Sequence, residues 1–212
     1  MFERQETPEQ VGDAACDLPA GKDMRPARFG CRSGRDEACK ERAGKGSVDF
    51  RIRKAAPEDA DFIFALFARR HVIGELHPPT SVDEYLRALE DFHLEHLIIE
   101  RGGEPFGNMV LETAPDWLLT IRALAVAEQR CGAGRFAMEY AIRYGFDDVG
   151  AHRIFLEVLE SNYAARRLYE SVGFRNEGLY RDGYRDESGT FQNLVPYGML
   201  VSDFRSMKSA AI

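Results

Sequence analysis

The sequence predicts an α+β fold built around a mixed β-sheet. Two patterns point there. Short runs with the two-residue period of a strand recur between longer amphipathic stretches, so strands and helices interleave along the chain. In addition, an apolar run from Leu118 to Val126 leads into a glycine loop and then an amphipathic helix, as where a chain leaves a sheet to pack on it. No internal repeat is visible.

The regular part begins at Val48. Val48 to Lys54 alternates apolar and charged residues, as a half-buried strand does. Pro57-Glu-Asp then opens a helix, with acidic residues in the first turn where the helix dipole favours them. Phe62, Leu66 and Phe67 supply its apolar face. A second helix is expected from Val82 to Phe92, capped by Thr80 or Ser81. Leu97-Ile-Ile-Glu and Phe106 to Glu112 flank Arg101-Gly-Gly-Glu-Pro, which reads as a hairpin. A strand from Trp117 to Val126 follows, then the glycine loop and a helix to about Phe146. A strand from Arg153 to Leu159, a helix from Ala164 to Val172 and two closing strands complete the pattern. Phe136, Tyr140 and Tyr144 recur every four residues, a stripe that packs the third helix on the sheet.

Residues 1–47 differ from the rest. Nine basic and nine acidic side chains balance there, and aliphatic periodicity is lacking. Such a segment buries too little apolar surface to offset its ordering entropy, so it reads as a flexible leader. The folded domain is expected over 48–205, with a short tail over 206–212.

Composition narrows the function. The net charge of −7, carried entirely by the domain, gives no basic field for nucleic acid. No apolar run approaches the ~20 residues of a membrane helix, and no secretory signal opens the chain. A cytoplasmic protein, monomeric or homodimeric, is the expectation. Cys16, Cys31, Cys39 and Cys131 form no CxxC pair and read as reduced thiols. His93 and His96 have no third ligand at a convincing spacing, so no metal is assigned.

The strongest motif is Gln129-Arg-Cys-Gly-Ala-Gly134, between a strand and a helix. Gly132 and Gly134 let the backbone approach a ligand, and the unpaired amides of the helix start suit a pyrophosphate. The loop lacks the Lys-Ser/Thr of a P-loop and the spacing of G-x-G-x-x-G. It resembles the acyl-CoA signature Q/R-x-x-G-x-G/A of the GNAT N-acetyltransferases. Asn162-Tyr-Ala-Ala-Arg-Arg-Leu-Tyr-Glu-Ser-Val-Gly-Phe174 resembles the second signature of that family, an Asn, a helix carrying a Tyr, and a closing Gly-Phe. Phe50 to Ala60 resembles its usual first strand and helix. The resemblance covers residues 48–205.

It implies a strongly twisted mixed sheet with helices on both faces, an α/β three-layer arrangement. It also implies acetyl-CoA as co-substrate, with no metal. Leu124, Ala125 and Val126 would pair with pantetheine, and Arg130, Cys131, Gly132, Ala133, Gly134 and Arg135 would meet the pyrophosphate. Asn162 would hold the pantetheine arm or acetyl region, and Arg166 would either lie near the phosphorylated end or remain a solvated helix charge. The Cys131 thiol is incidental, since the loop works through its amides.

The chemistry needs two further groups. An alkyl ammonium, pKa about 10.4, must lose a proton before attacking a thioester, and the departing thiolate must gain one. Tyr169 stands where the family places its acid. Glu157 stands twelve residues earlier, and its surroundings resemble the ribosomal-protein alanine and serine acetyltransferase branch. Glu112 or ordered water are the competing bases. The branch implies an amine acceptor: a peptide N-terminus, polyamine, amino sugar or antibiotic. The loops 71–81 and 179–190 are expected to set the choice, and Asp182, Asp186 and Glu187 suit either a cationic acceptor or a solvated loop. A non-catalytic module that binds or senses CoA is the alternative.

Overall fold

The computed structural model describes residues 49–68, 81–113, 115–186 and 188–210. The leader over 1–47 and most of the 71–81 loop therefore lie outside the described residues, as do Cys16, Cys31, Cys39 and Glu187.

The chain opens with β1 (Phe50–Lys54), a 3₁₀ turn (Pro57–Asp59) and α1 (Ala60–Phe67). α2 (Val82–Leu89) follows, with Ser81 as its N-cap: the Ser81 hydroxyl accepts the Glu84 N–H at 3.2 Å. α2 stops short of Phe92 because the Asp91 carboxylate accepts the His93 N–H at 2.9 Å and turns the chain into the sheet. Phe92 is left 85% exposed. β2 (Leu94–Arg101) and β3 (Glu104–Glu112) form the expected hairpin. Its turn uses Gly102 and Gly103 at φ +63° and +90°, a left-handed pair that matches the twist of the strands.

β4 (Leu118–Val126) leads to α3 (Ala133–Arg143), which ends in a π-helical turn (Tyr144–Val149) rather than in a regular helix to Phe146. Gly145 explains the wider turn: a Cβ there would sit 2.8 Å from Ile154 Cδ1 and 2.9 Å from Leu119 Cδ2, so the backbone itself rests on the sheet. Then come β5 (Arg153–Leu159), α4 (Tyr163–Ser171), β6 (Arg175–Asn176), β7 (Tyr180–Arg185), β8 (Phe191–Leu200) and α5 (Val201–Ala210). Residues 206–210, read from sequence as tail, are the last turns of α5. Phe204 seats it against Phe146, ring centroids 5.0 Å apart.

The eight strands form one mixed sheet in the order β1-β2-β3-β4-β5-β8-β6, with β7 also paired to β8. Every pairing is antiparallel except that of β4 with β5. Helices cover both faces. On β2, Ile98 packs in a cluster with Ala60, Ile63 and Tyr85 of α1 and α2. Its neighbours Leu97 and Ile99 point the other way, into the main core with α3. Phe136, Tyr140 and Tyr144 pack half-buried against that core, as their spacing predicts.

One polar lock holds the first turn. Asp59, 4% exposed, accepts two hydrogen bonds from the Arg53 guanidinium, each 2.7 Å, and a third from the Ala56 N–H at 2.8 Å. Arg53 also donates to Glu100 at 2.8 Å, and Tyr85 donates its hydroxyl to Ala56 O at 3.1 Å. β1, the 3₁₀ turn, β2 and α2 are thereby joined at one point. Among the described residues, no helix is long and apolar enough to cross a membrane.

Candidate active site

The sheet opens between its two parallel strands. β4 pairs with β5 only at Leu118–Thr120 with Arg153–Phe155. β3 goes on holding β4 as far as Val126, and β8 goes on holding β5 as far as Leu159. Each strand is thus drawn away from the other, and the edge of β4 at Leu124, Ala125 and Val126 faces no strand partner. A β-bulge helps: Val110 pairs with Ala123 and Leu111 with Ile121, so Arg122 is an extra residue that bends β4.

A cleft of about 500 Å³ fills this opening. Leu124, Ala125 and Val126 line one side, and Glu157, Asn162 and Tyr169 line the other. Its far end is the glycine loop, all of Arg130, Cys131, Gly132, Ala133, Gly134 and Arg135. Arg130 at φ +62° and Gly132 at φ +93° take left-handed conformations that reverse the chain into α3. The helix ladder starts with Phe136 N–H donating to Gly132 O at 3.0 Å. The amides of Ala133, Gly134 and Arg135 therefore have no acceptor in their own helix and stand at its positive end. Gly134 lets α3 begin beside α4, since a Cβ there would lie 3.1 Å from Leu168 Cδ2. Arg135 fastens the start of α3 to the last residue of α4 by donating to Ser171 Oγ at 2.8 Å. The Cys131 thiol donates to Glu128 O at 3.2 Å.

Asn162 is the N-cap of α4, its Oδ1 accepting the Ala165 N–H at 3.2 Å. The same bond fixes its side chain at the cleft wall. Arg166 does not line the cleft. Its Nη1 donates to Glu160 O at 2.9 Å and its Nε to the Tyr197 hydroxyl at 3.4 Å. Arg167, one position along and so about 100° around the helix, takes the cleft side instead. The sequence showed two adjacent arginines on a helix but not which one the helix turned outward.

Glu157 lies on the diverging half of β5. Leu156 and Val158 are buried in the main core, and period-two alternation leaves the Glu157 side chain pointing to the opposite face of the sheet. It forms no ion pair among the described residues. Glu112, the competing base, is outside this cleft and bonded to Arg122 Nη1 at 3.2 Å.

Tyr169 is 8% exposed and packs edge-to-face on Tyr197, ring centroids 5.8 Å apart. Tyr197 is fully buried, and its hydroxyl donates to Glu170 Oε1 at 2.7 Å. Burial raises the Tyr197 pKa above the usual tyrosine value, so it stays a neutral donor. Sequence reasoning missed this supporting role. The only signal was an aromatic residue in the last strand of the domain, which packing alone would explain.

Comparison with known proteins agrees with this geometry. Residues 60–174 match the family described as the Acetyltransferase (GNAT) family. An N-alpha-acetyltransferase of Sulfurisphaera tokodaii is 25% identical over 165 residues, covering 72% of this chain and 96% of that protein. An N-alpha-acetyltransferase of Saccharolobus solfataricus is 28% identical over 151 residues, covering 64% of this chain and 88% of that protein. Among solved structures, a probable acetyltransferase superposes with a TM-score of 0.63 at 24% identity, over 71% of this chain and 92% of that one. The spermidine N-acetyltransferase from Vibrio cholerae, in complex with CoA and spermine, superposes at 0.66 with 23% identity, over 74% and 98%. These likenesses establish the shared fold. The chain belongs to the acetyltransferase (GNAT) family.

Proposed function

We propose that this enzyme transfers the acetyl group of acetyl-CoA to a primary amine, by direct attack with both substrates bound. The observation that carries the reading is the parting of β4 from β5, which opens straight onto the unpaired amides of α3. One end of the cleft offers a bare strand edge to an extended amide-bearing chain. The other offers backbone N–H groups, the helix dipole and the guanidinium groups of Arg130, Arg135 and Arg167 to phosphates. These residues fit the acetyl-CoA that the family uses.

The side chains then divide the proton work. Glu157, free of any guanidinium, takes the proton of the ammonium either directly or through water. Tyr169 gives a proton to the sulfur as the C–S bond breaks, and Tyr197 and Phe174 hold its ring in place. A module that only binds CoA would need neither group on the cleft wall. The amino-terminal peptide acceptors in the names of the two relatives, and the polyamine acceptor in that of the solved structure, are both compatible with this chemistry.

Two measurements test the reading. Acetyl-CoA held at about 100 times its dissociation constant is expected to add about 2.7 kcal/mol, raising the melting temperature by roughly 5–10 °C. An unchanged melting temperature at millimolar acetyl-CoA would sink the cofactor assignment. Tyr169→Phe keeps the buried ring and removes the acid, so kcat is expected to fall by about 100-fold while KM for acetyl-CoA changes little. Equal losses in both parameters would mark Tyr169 as a packing residue.

A further inference from the structure

A second cavity, of about 310 Å³, lies under α1 and α2. Its walls are Ile63 and Phe67 of α1, Tyr85 of α2 and Val110 of β3. Arg122 and Ala123, at the β4 bulge, line both this cavity and the cleft. The two chambers therefore meet at the bulge, where β4 and β5 part.

The chemistry of the second cavity is unusual. Among the described residues, His96 Nε2 is the one buried side-chain nitrogen or oxygen atom without a hydrogen-bond partner. Burial lowers the imidazole pKa below the usual histidine value, outweighing the opposite effect of the Ala88 backbone, so the ring is neutral. With its proton on Nδ1, the ring presents Nε2 as an acceptor. Asn108, 2% exposed, spends an N–H on Leu97 O at 3.2 Å. Glu84, Asp91 and Glu112 add carboxylates to the lining, against the single guanidinium of Arg122. The cavity is thus rich in acceptors and negative charge, with apolar walls between. A buried acceptor left unmatched costs about 1–3 kcal/mol, which a ligand donor would recover.

We infer that this cavity is the subsite for the distal end of the acceptor, that His96 accepts a hydrogen bond from it, and that the substrate is an aliphatic amine carrying a second cationic donor. The inference rests on the acetyltransferase reading above. The reacting amine then lies near the bulge, between the two chambers, while the distal ammonium meets His96 Nε2 and the carboxylates. Tyr85, whose hydroxyl is committed to Ala56, forms wall rather than partner. An alkyl diamine and a peptide beginning with lysine offer the same distal group, and assay of both tells them apart.

The test compares acetylation of 1,4-diaminobutane, a Lys-initiated peptide and n-butylamine by the full-length protein. At least one dication is expected to exceed butylamine by tenfold or more in kcat/KM. His96→Phe, which fills the same space without an acceptor, is expected to bring that dication to the butylamine level, mainly through KM. His96→Gln places an oxygen near the Nε2 position and is expected to restore most of the preference. Binding of acetyl-CoA, read by its melting shift, should be unchanged in both variants. No dication preference, including no turnover of any of the three amines, overturns the inference. So does a His96→Phe loss shared equally by butylamine. Absence of the acetyl-CoA shift in the unmodified protein instead defeats the acetyltransferase reading, so the two failures are separable.

Discussion

Glu157→Gln is expected to lower kcat/KM for an alkyl amine by about 1,000-fold at pH 7, within the range of about 10²–10⁴ typical for loss of a positioned acid or base. An alkyl ammonium with a pKa of about 10.4 has only about 0.04% of its population deprotonated at pH 7. Without a base, that small fraction carries the whole reaction. The variant should therefore regain activity as pH rises, climbing about tenfold per unit toward pH 10, whereas the unmodified enzyme levels off earlier. The loss also reports the acceptor. A peptide α-amino group, pKa about 7.7–8.0, is already about 10% deprotonated at pH 7, and its attack depends far less on a base. Glu112→Gln is the matched control. Its carboxylate is tied to Arg122 at 3.2 Å, and its replacement is expected to change KM for the amine more than kcat. If Glu112→Gln shows the pH-rescued loss and Glu157→Gln does not, the two roles are exchanged.

What the sequence made legible was mostly local. The Gly102-Gly103 hairpin, the Ser81 cap and the alternation that turns Glu157 away from Leu156 and Val158 each depend on residues a few positions apart. The glycine loop was legible for the same reason: left-handed Gly132 and the free amides beyond it follow from a strand, a loop and a helix in succession. What escaped was set by tertiary packing. The choice of Arg167 over Arg166 follows from how α4 is rotated on the sheet, which Glu160 and Tyr197 decide from distant positions. The widening of α3 at Tyr144 follows from Gly145 meeting Ile154 and Leu119. His96 was weighed only as half of a metal pair with His93. Its burial, and its lone Nε2 facing a cavity, depend on α2 lying across β2. The bond between Arg53 and Asp59 was hidden in the same way, since Asp59 read simply as an acidic residue in a first helical turn.

That bond gives the largest expected change in stability. The Asp59 side chain is 5% exposed and accepts three hydrogen bonds, two of them from a guanidinium. Asp59→Ala removes all three and leaves Arg53 with Glu100 and the Lys54 carbonyl. Breaking one side of a buried pair costs about 3–5 kcal/mol, and because Arg53 is 37% exposed and can rehydrate, the low end applies. At about 3 kcal/mol, the melting temperature at pH 7 should fall by roughly 6–12 °C. The pH dependence has a definite sign. The hydrogen bonds from Arg53 hold the Asp59 pKa below its ordinary value of 3.8, so the unfolded chain binds the proton more readily. Its stabilisation is complete above pH about 4 and is lost as pH falls through the lowered folded value. Asp59→Ala should therefore flatten the acid limb of the stability curve as well as lower it. Arg53→Met separates the pair from its context. If the two groups act mainly on each other, the double variant should be less destabilised than the sum of the two single ones, by about 1–3 kcal/mol. A double variant equal to that sum would mean that Asp59 acts through the Ala56 N–H and that Arg53 contributes nothing to the lock.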